Sequence, residues 1–321
     1  MLYGIWLAIK ARTPFFFFNV NPGIESGGLL IESKKEILDS IPDILKPKSL
    51  FFKFPASFEE VLQEISENRI YFPLIAKPDY GERGWMVEKI EDQEELKKYI
   101  NGIRLNFIIQ EFIDLPIELG IFYFRYPGSS QGNISSIVRK ELLHVKGNGF
   151  STVKTLIRNN ARARLQLREI EKRHPDIMNL VLGRDEKIEL IPIGNHCRGT
   201  TFLNGNDLID DELNLVVNSF ASRIHGFFYG RFDIRCSSIK ELKLGKSFKI
   251  LELNGGKSEP AHIYHPGSSL FEAYRVLFFH WRTLYEIAIL NHQNGHPYPS
   301  FVEGWKTWKK FRFYKKIRKF R

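Results

Sequence analysis

The chain has 321 residues, 43% of them hydrophobic, enough to bury a sizeable core and to form two or three subdomains. Its two cysteines, Cys197 and Cys236, exclude a disulfide framework and point to a reducing compartment, the cytoplasm. The net charge of +10 is local: residues 305–321 hold nine basic side chains and no acidic one, and the rest carries 38 basic against 37 acidic.

Residues 2–9 are apolar but too short to span a bilayer, and Lys10 and Arg12 follow them rather than precede them. This argues against a secretory signal. Up to residue 50 the chain is rich in Phe, Gly and Pro, with one short helix expected over 33–40. Periodicity then predicts a helix over 58–67, a strand over 71–77, a glycine-containing turn, a strand over 85–90, a helix over 93–100 and a strand over 107–112. Strands follow at 117–125 and 134–145, helices at 152–160 and 162–174, and an extended stretch at 187–193. A helix over 207–225 precedes strands at 227–235 and around Glu252, and a long helix covers 268–291. Helices and strands mix without βαβ alternation, which predicts an α+β fold rather than a doubly wound sheet. The expected division is a short N-terminal segment (1–50), two subdomains (51–116 and 117–300) and a basic aromatic tail (301–321).

Chemistry concentrates in a few segments. In the strand containing Leu251, Glu252, Leu253 and Asn254, alternation puts Glu252 and Asn254 on one face and the leucines on the other. Asp233, in a neighbouring strand, can bring a second carboxylate alongside. All-oxygen ligation with few protein donors suits Mg²⁺, which keeps waters and bridges to nucleotide phosphates. A solvated strand end before the Gly255-Gly256 turn is the other reading. Lys77 ends an apolar strand ahead of a loop with Gly81 and Gly84, where backbone N–H groups can approach phosphate oxygens and the lysine supplies a point charge. The G-x-x-x-x-G-K-[ST] spacing is absent, and a hairpin with an exposed lysine is the alternative. The strand ending at Glu111 leads into a connector with Glu118 seven residues on. Such a hinge can offer adenine its backbone and ribose a carboxylate, or simply be solvated.

Lys77 before a glycine loop, the Glu111/Glu118 hinge, Arg231-x-Asp233 and Glu252-x-Asn254 occur in the order seen in the ATP-grasp superfamily. The pattern, spanning roughly residues 33–270, resembles the D-alanine–D-alanine ligase and cyanophycin synthetase branches. The resemblance implies an ATP-grasp fold, two α+β subdomains sandwiching ATP. Only about 33 residues precede Lys34, so the pre-ATP-grasp region is expected to be reduced. It implies that Lys34 or Lys35 is the first phosphate-contacting lysine and that Lys77 holds the α- and β-phosphates. Gly81 and Gly84 bracket a lid, with Glu111 at the adenine and Glu118 at the ribose. Asp233, Glu252 and Asn254 would bind one or two Mg²⁺ ions, or Mn²⁺, and Arg231 would stabilise the transition state. Segment 144–157 resembles a loop and helix of cyanophycin synthetase-like ligases, and in that frame segment 195–200 occupies the place of a second polar loop near the γ-phosphate. Near them Arg139 and Arg198 read as phosphate or substrate-carboxylate clamps, or as surface arginines. Cys197 adjoins His196, but adjacent residues point apart, and His262 and His265 read as pocket or packing residues.

The implied activity is an ATP- and Mg²⁺-dependent ligase joining a small-molecule carboxylate to an amine through an acyl phosphate. The alternatives are an ATP-grasp phosphotransferase and a catalytically silent, membrane-associated binding module. In the tail, Trp305, Trp308, Phe311, Tyr314, Ile317 and Phe320 recur every third residue. On a helix each such step falls about 60° short of a turn, so the rings wind around it. Mixed with basic residues, they suit an anionic membrane surface at the inner face of the membrane, or packing on the protein's own surface. No nucleic-acid motif accompanies the charge, and no nucleic-acid partner is expected.

Overall fold

The computed structural model describes residues 2–30 and 32–319, with side chains to 316 in the last helix. The readings made above for the side chains of Ile317, Arg318, Lys319, Phe320 and Arg321 lie outside the described residues. The chain begins with α1 (Leu2–Ala11), α2 (Lys34–Ser40), β1 (Ser49–Phe52), α3 (Phe58–Glu67), β2 (Leu74–Pro78), β3 (Glu88–Ile90), α4 (Gln93–Gly102) and β4 (Phe107–Glu111). Next come β5 (Ile117–Phe124), β6 (Asn133–Glu141), β7 (Leu143–Lys146), α5 (Val153–Asn159), α6 (Leu167–Arg173), β8 (Lys187–Ile191) and β9 (Thr201–Asn204). The last elements are α7 (Asp211–Ala221), β10 (Tyr229–Cys236), α8 (Ile239–Lys243), β11 (Phe248–Asn254), α9 (Leu270–Gln293) and α10 (Phe301–Lys319).

Helix starts follow their caps. The side chains of Ser33, Ser57, Asp92, Thr152 and Asp210 each accept from the backbone N–H three residues on. Each cap is worth about 1 kcal/mol, and Ser57 with Glu60 forms a full capping box.

The strands form three antiparallel sheets, in the orders β1-β4-β2-β3, β11-β10-β5-β6-β9 and β7-β8. Antiparallel sheets with helices laid on them make an α+β fold, as the mixed pattern predicts. In the four-stranded sheet, Leu74, Ala76, Phe107 and Ile109 pack under Val61 and Ile65 of α3 and Leu96 and Ile100 of α4. The five-stranded sheet buries Leu119, Ile121, Phe232 and Ile234 against Leu213, Val217 and Phe220 of α7. A smaller core joins β7 and β8 to α5 and α6 through Val145, Leu190, Val153 and Ile170.

The opposite face of the five-stranded sheet is divided. At one end Phe122, Phe124 and Tyr229 meet Leu7, Phe16, Leu284 and Ile287 of the N-terminal segment and α9. At the other end, with the same side-chain parity, stand Glu118, Arg231 and Asp233. The polar half is the one that faces β2 and β4 of the other sheet, where Lys77 Nζ reaches Leu251 O at 3.5 Å.

Several expected elements differ. The strand expected over 134–145 breaks at Leu142: β6 stays in the large sheet, while β7 leaves it to pair with β8. Only Glu88–Ile90 of the stretch 85–90 is extended, because Arg83, Gly84 and Met86 adopt positive φ and turn the chain. The helix expected over 162–174 is a 3-10 turn at Ala163–Gln166 followed by α6. Helix α1 and the short strands β1 and β9 carry too few residues of clear period to be read from sequence.

Candidate functional site

Between the two larger sheets lies a cavity of about 610 Å³, within the range of small-molecule sites. Its floor is the β10–β11 hairpin. Register pairs Arg231 with Asn254 and Asp233 with Glu252, so all four side chains share one face. A bulge after Asp233 ends this register. Gly120 of β5 lies opposite Asp233. A Cβ there would stand 3.2 Å from Arg231 Cδ and 3.3 Å from Asp233 Oδ1, so glycine makes the room this pair occupies.

Asp233 is buried and fully engaged. Arg231 donates to both its oxygens, Nε to Oδ1 at 2.9 Å and Nη2 to Oδ2 at 3.2 Å, and Lys140 Nζ lies 3.2 Å from Oδ2. Burial alone would raise the Asp233 pKa, but Arg231 and Lys140 outweigh it and hold the carboxyl below its ordinary value. Burial likewise works against charge on Lys140, and Asp233 and Glu118 reverse this to raise its pKa. Glu118 is locked in the same network, accepting from Lys140 at 2.9 Å and from Arg235 Nε at 3.1 Å. The carboxylate expected at a ribose is therefore also the counter-ion of two buried cations.

The facing wall carries lysines. The start of α2 docks on the end of β2, where Asp79 Oδ1 accepts from Ser33 Oγ at 2.8 Å and Lys35 N at 3.0 Å. This sends Lys34 inward: its Nζ donates to Gly81 O at 2.5 Å and lies 3.9 Å from Glu252 Oε1. Lys35 points outward to Asp39. The structure thus separates the two candidates, and Lys35 is corrected to a surface residue. Lys77 is buried and donates to Gln110 Oε1 at 2.9 Å. Burial pushes its pKa down to about 8, with Glu252 opposing the shift and Lys34 adding to it. Burial lowers Lys34 as well. Two buried ammonium groups that burial makes costly to charge, beside a partly exposed Glu252, form a ready site for an anion.

Gly81 and Gly84 line the cavity in the loop after β2, and Gly84 has φ +68°. Arg198 does not line the cavity; its Nη2 donates to Gly84 O at 2.9 Å and so holds that loop. Arg139 is a second correction. It faces away from the site and forms a bidentate pair with Asp207 at 2.7 and 2.6 Å. The pleat explains this, since adjacent residues of β6 point to opposite faces and the inward one is Lys140. Glu111 lines the cavity with Phe112 and Ile113, but its N–H donates to Lys48 O and its carboxylate accepts from Lys48 N, while Ile113 O accepts from Arg235 Nη1 at 2.8 Å. Cys197 is exposed, and the His196 ring packs against Phe202 and Tyr264. His262 bonds Ser136 Oγ at 2.6 Å, and His265 accepts from Asn204 N.

Sequence reasoning missed Lys140, Lys257, Arg235 and Phe311. Lys257 follows the Gly255-Gly256 turn, pairs with Glu32 at 2.8 Å and lines the cavity. Phe311 comes from the tail, whose α10 packs on the protein's own surface. Lys310 bonds Glu25 at 2.7 Å and sits over the Tyr80 ring, and Tyr314 packs on Tyr80 at 4.8 Å.

A divalent cation is tested here by its donors. Asp233, Glu252 and Asn254 bring two carboxylates and an amide to one face; Asp233 is also held by Arg231 and Lys140, and Asn254 Nδ2 is a buried donor without a hydrogen-bond partner. Among the described residues, no three His, Cys, Asp or Glu gather closely enough to hold a metal by themselves. The set fits Mg²⁺ of the kind that takes one or two carboxylates and completes its shell with water and phosphate.

No protein-family model and no curated protein matches the chain. Among solved structures it is similar to the D-alanine–D-alanine ligase of Bacillus anthracis, with a TM-score of 0.45 and 13% identity over 85% of this chain and 72% of that one. It is also similar to the VanG D-Ala:D-Ser ligase of Enterococcus faecalis, with a TM-score of 0.45 and 16% identity over 84% of this chain and 64% of that one. A bifunctional glutathione synthetase from Pasteurella multocida gives a TM-score of 0.40 and 15% identity over 78% of this chain. The chain spans about a third, 35%, of that synthetase's length.

Proposed function

We propose that this chain is an ATP-grasp ligase that joins a carboxylate to an amine at the expense of ATP. One observation carries the reading: Arg231, Asp233, Glu252 and Asn254 share one face of a cavity whose opposite wall presents buried Lys34 and Lys77. In this reading residues 51–116 form the lid subdomain, residues 117–300 carry the acidic set, and residues 1–50 are the reduced N-terminal segment.

ATP lies with its adenine toward Phe112 and Ile113 and its triphosphate toward Lys34, Lys77, Lys140 and Lys257. Asp233, Glu252 and Asn254 would hold Mg²⁺, or Mn²⁺, which supplies positive charge to the phosphate oxygens. The lysines do the same from the wall, where a low-dielectric site strengthens each contact. A substrate carboxylate oxygen attacks the γ-phosphorus and ADP leaves. The amine then attacks the acyl carbon, inorganic phosphate leaves, and the nitrogen gives up its proton. Arg231 faces the oxyanion that develops in that step. The loop at 81–84, held by Arg198, excludes water from the acyl phosphate.

The test is a screen of amino acids and of sugar and peptide acids for substrate-stimulated ADP release, with mass spectrometry of the product. A C–N-bonded product with free phosphate supports the ligase. A stable phosphorylated product identifies a phosphotransferase instead. Absence of ATP binding in Mg²⁺ favours a silent binding module and overturns the proposal.

A further inference from the structure

Helix α1 is apolar on two sides. Leu7 and Ala11 are buried, yet Leu2, Ile5, Trp6 and Ile9 form a second stripe that stays in solvent, with Leu2 84%, Trp6 51% and Ile9 71% exposed. Spacing of three, one and three puts these four on one helical face. The first half of α9 repeats the feature: Leu270, Phe271, Tyr274, Phe278 and Trp281 are exposed, Phe271 to 81%. The two stripes are continuous. Tyr3 stacks on Trp6 and meets Phe278 edge-on at 5.0 Å, while Gly4 leaves the space that the Trp281 ring fills. The start of α10 packs Phe301 on Phe15, four residues past the end of α1, at 6.0 Å, and carries exposed Val302 and Trp305.

An exposed apolar surface of this extent marks an interaction site rather than chance. Its charges choose the occupant. Helix α1 has no acidic residue, and Lys10 and Arg12 edge its stripe, with Lys10 Nζ over the Trp6 ring at 5.3 Å. Arg275 joins them on α9, and α10 adds exposed Lys306, Lys309, Arg312, Lys315 and Lys316. Glu272 and Glu303 are the exposed acids on the same helices. A second copy of the chain docked on this face would bring like charges together, whereas an anionic surface meets them. The apolar side chains are mainly Trp, Tyr, Phe, Ile and Leu, the residues that settle at the headgroup level of a bilayer. No described helix is long and apolar enough to cross one.

We propose that the face formed by α1, the first half of α9 and the outer side of α10 docks the protein on an anionic lipid surface, its aromatic side chains in the headgroup layer and its cations on the lipid charge. The tail then has two sides: Lys310, Phe311 and Tyr314 grip the protein, and the outer cations face lipid.

The full chain is sedimented with vesicles of phosphatidylcholine, with and without phosphatidylserine. Phosphatidylserine should raise the bound fraction by about tenfold or more, and added salt should reverse this. A Trp6→Ser, Ile9→Ser, Phe271→Ser variant changes exposed side chains only and should lose most binding with an unchanged circular dichroism spectrum. A Lys309→Glu, Arg312→Glu, Lys315→Glu variant should lose the dependence on phosphatidylserine. Three results would overturn the proposal: no binding to either vesicle, binding that the serine variant leaves intact, or a wild-type dimer in sedimentation equilibrium that the serine variant abolishes. The last would make the occupant a second copy.

Discussion

Lys140 of β6 and Asp233 of β10 form an ion pair closed off from solvent, Nζ to Oδ2 3.2 Å, across the intervening strand β5. Arg231 and Glu118 complete it, so Asp233 is held by two cations and Lys140 by two carboxylates. Taking one partner away leaves a buried charge uncompensated, which costs far more than the pair's net worth.

Asp233→Asn should therefore both stop ATP turnover and destabilise the fold by about 3 kcal/mol. Glu252→Gln, at a partly exposed site, should stop turnover while stability stays within about 0.5 kcal/mol of wild type. Urea unfolding of the two variants checks this contrast. The pH sense is also fixed. Asp233 titrates below its ordinary value when folded, so its stabilisation is complete above the unfolded carboxylate value of about 4 and fades as pH falls through the lower folded value. Asp233→Asn should flatten that acid limb.

At Lys77 stability also rises with pH, but for the opposite reason: here burial disfavours the charged form. Its folded pKa of about 8 lies below the ordinary 10.5, so between these values the unfolded chain binds more protons and stability rises with pH. Below about 8 the cost of the buried charge is complete, roughly 3 kcal/mol. Set against it is about 1 kcal/mol for orphaning Gln110 Oε1 in Lys77→Met. The variant should thus be more stable than wild type at neutral pH, with the gap closing toward pH 10.5. Near pH 8, binding of a triphosphate should draw a proton onto Lys77. Calorimetry in two buffers of different ionisation enthalpy reads that uptake.

Arg139 and Lys140 are adjacent in sequence and opposed in space. Lys140→Met should lower kcat/KM by about a hundredfold, the scale of losing one charged donor at a developing anion. Arg139→Met should leave it nearly unchanged and cost only the exposed Asp207 pair, about 1 kcal/mol or less. Steady-state kinetics with the substrates found by ADP release decide between the two.

The contacts of Tyr80 with Lys310 and Tyr314 join α10 to the residue before Gly81. Tyr314→Ala should loosen the loop, seen as faster amide exchange over residues 79–86, without altering exchange in β10. Equal exchange in both proteins would deny α10 any hold on the loop.

The shared face of Asp233, Glu252 and Asn254 was legible in sequence because a strand's period of two needs no knowledge of its neighbours. Lys77 and the glycine loop were legible for the same reason, as a strand and its end. Lys140 was not. Its neighbour Arg139 has equal charge, and which of them turns inward depends on the register of β6 against β5, including the shift between Phe122 and Tyr123. Lys34 and Lys35 posed the same problem, resolved by Asp79, 44 residues beyond Lys35, which docks the start of α2. The tail's rings gave no single stripe, and only packing shows that Phe311 and Tyr314 face the protein while Phe313 faces solvent.

The central claim is that this cavity takes a nucleoside triphosphate on its buried lysines. Isothermal titration of the wild-type chain with ATP in Mg²⁺ tests it most directly, beside Lys77→Met and Lys140→Met. Saturable one-site binding by wild type, weakened about tenfold or more in each variant, is the predicted result. A wild-type chain that takes up no ATP, or variants that bind it equally well, would contradict the account.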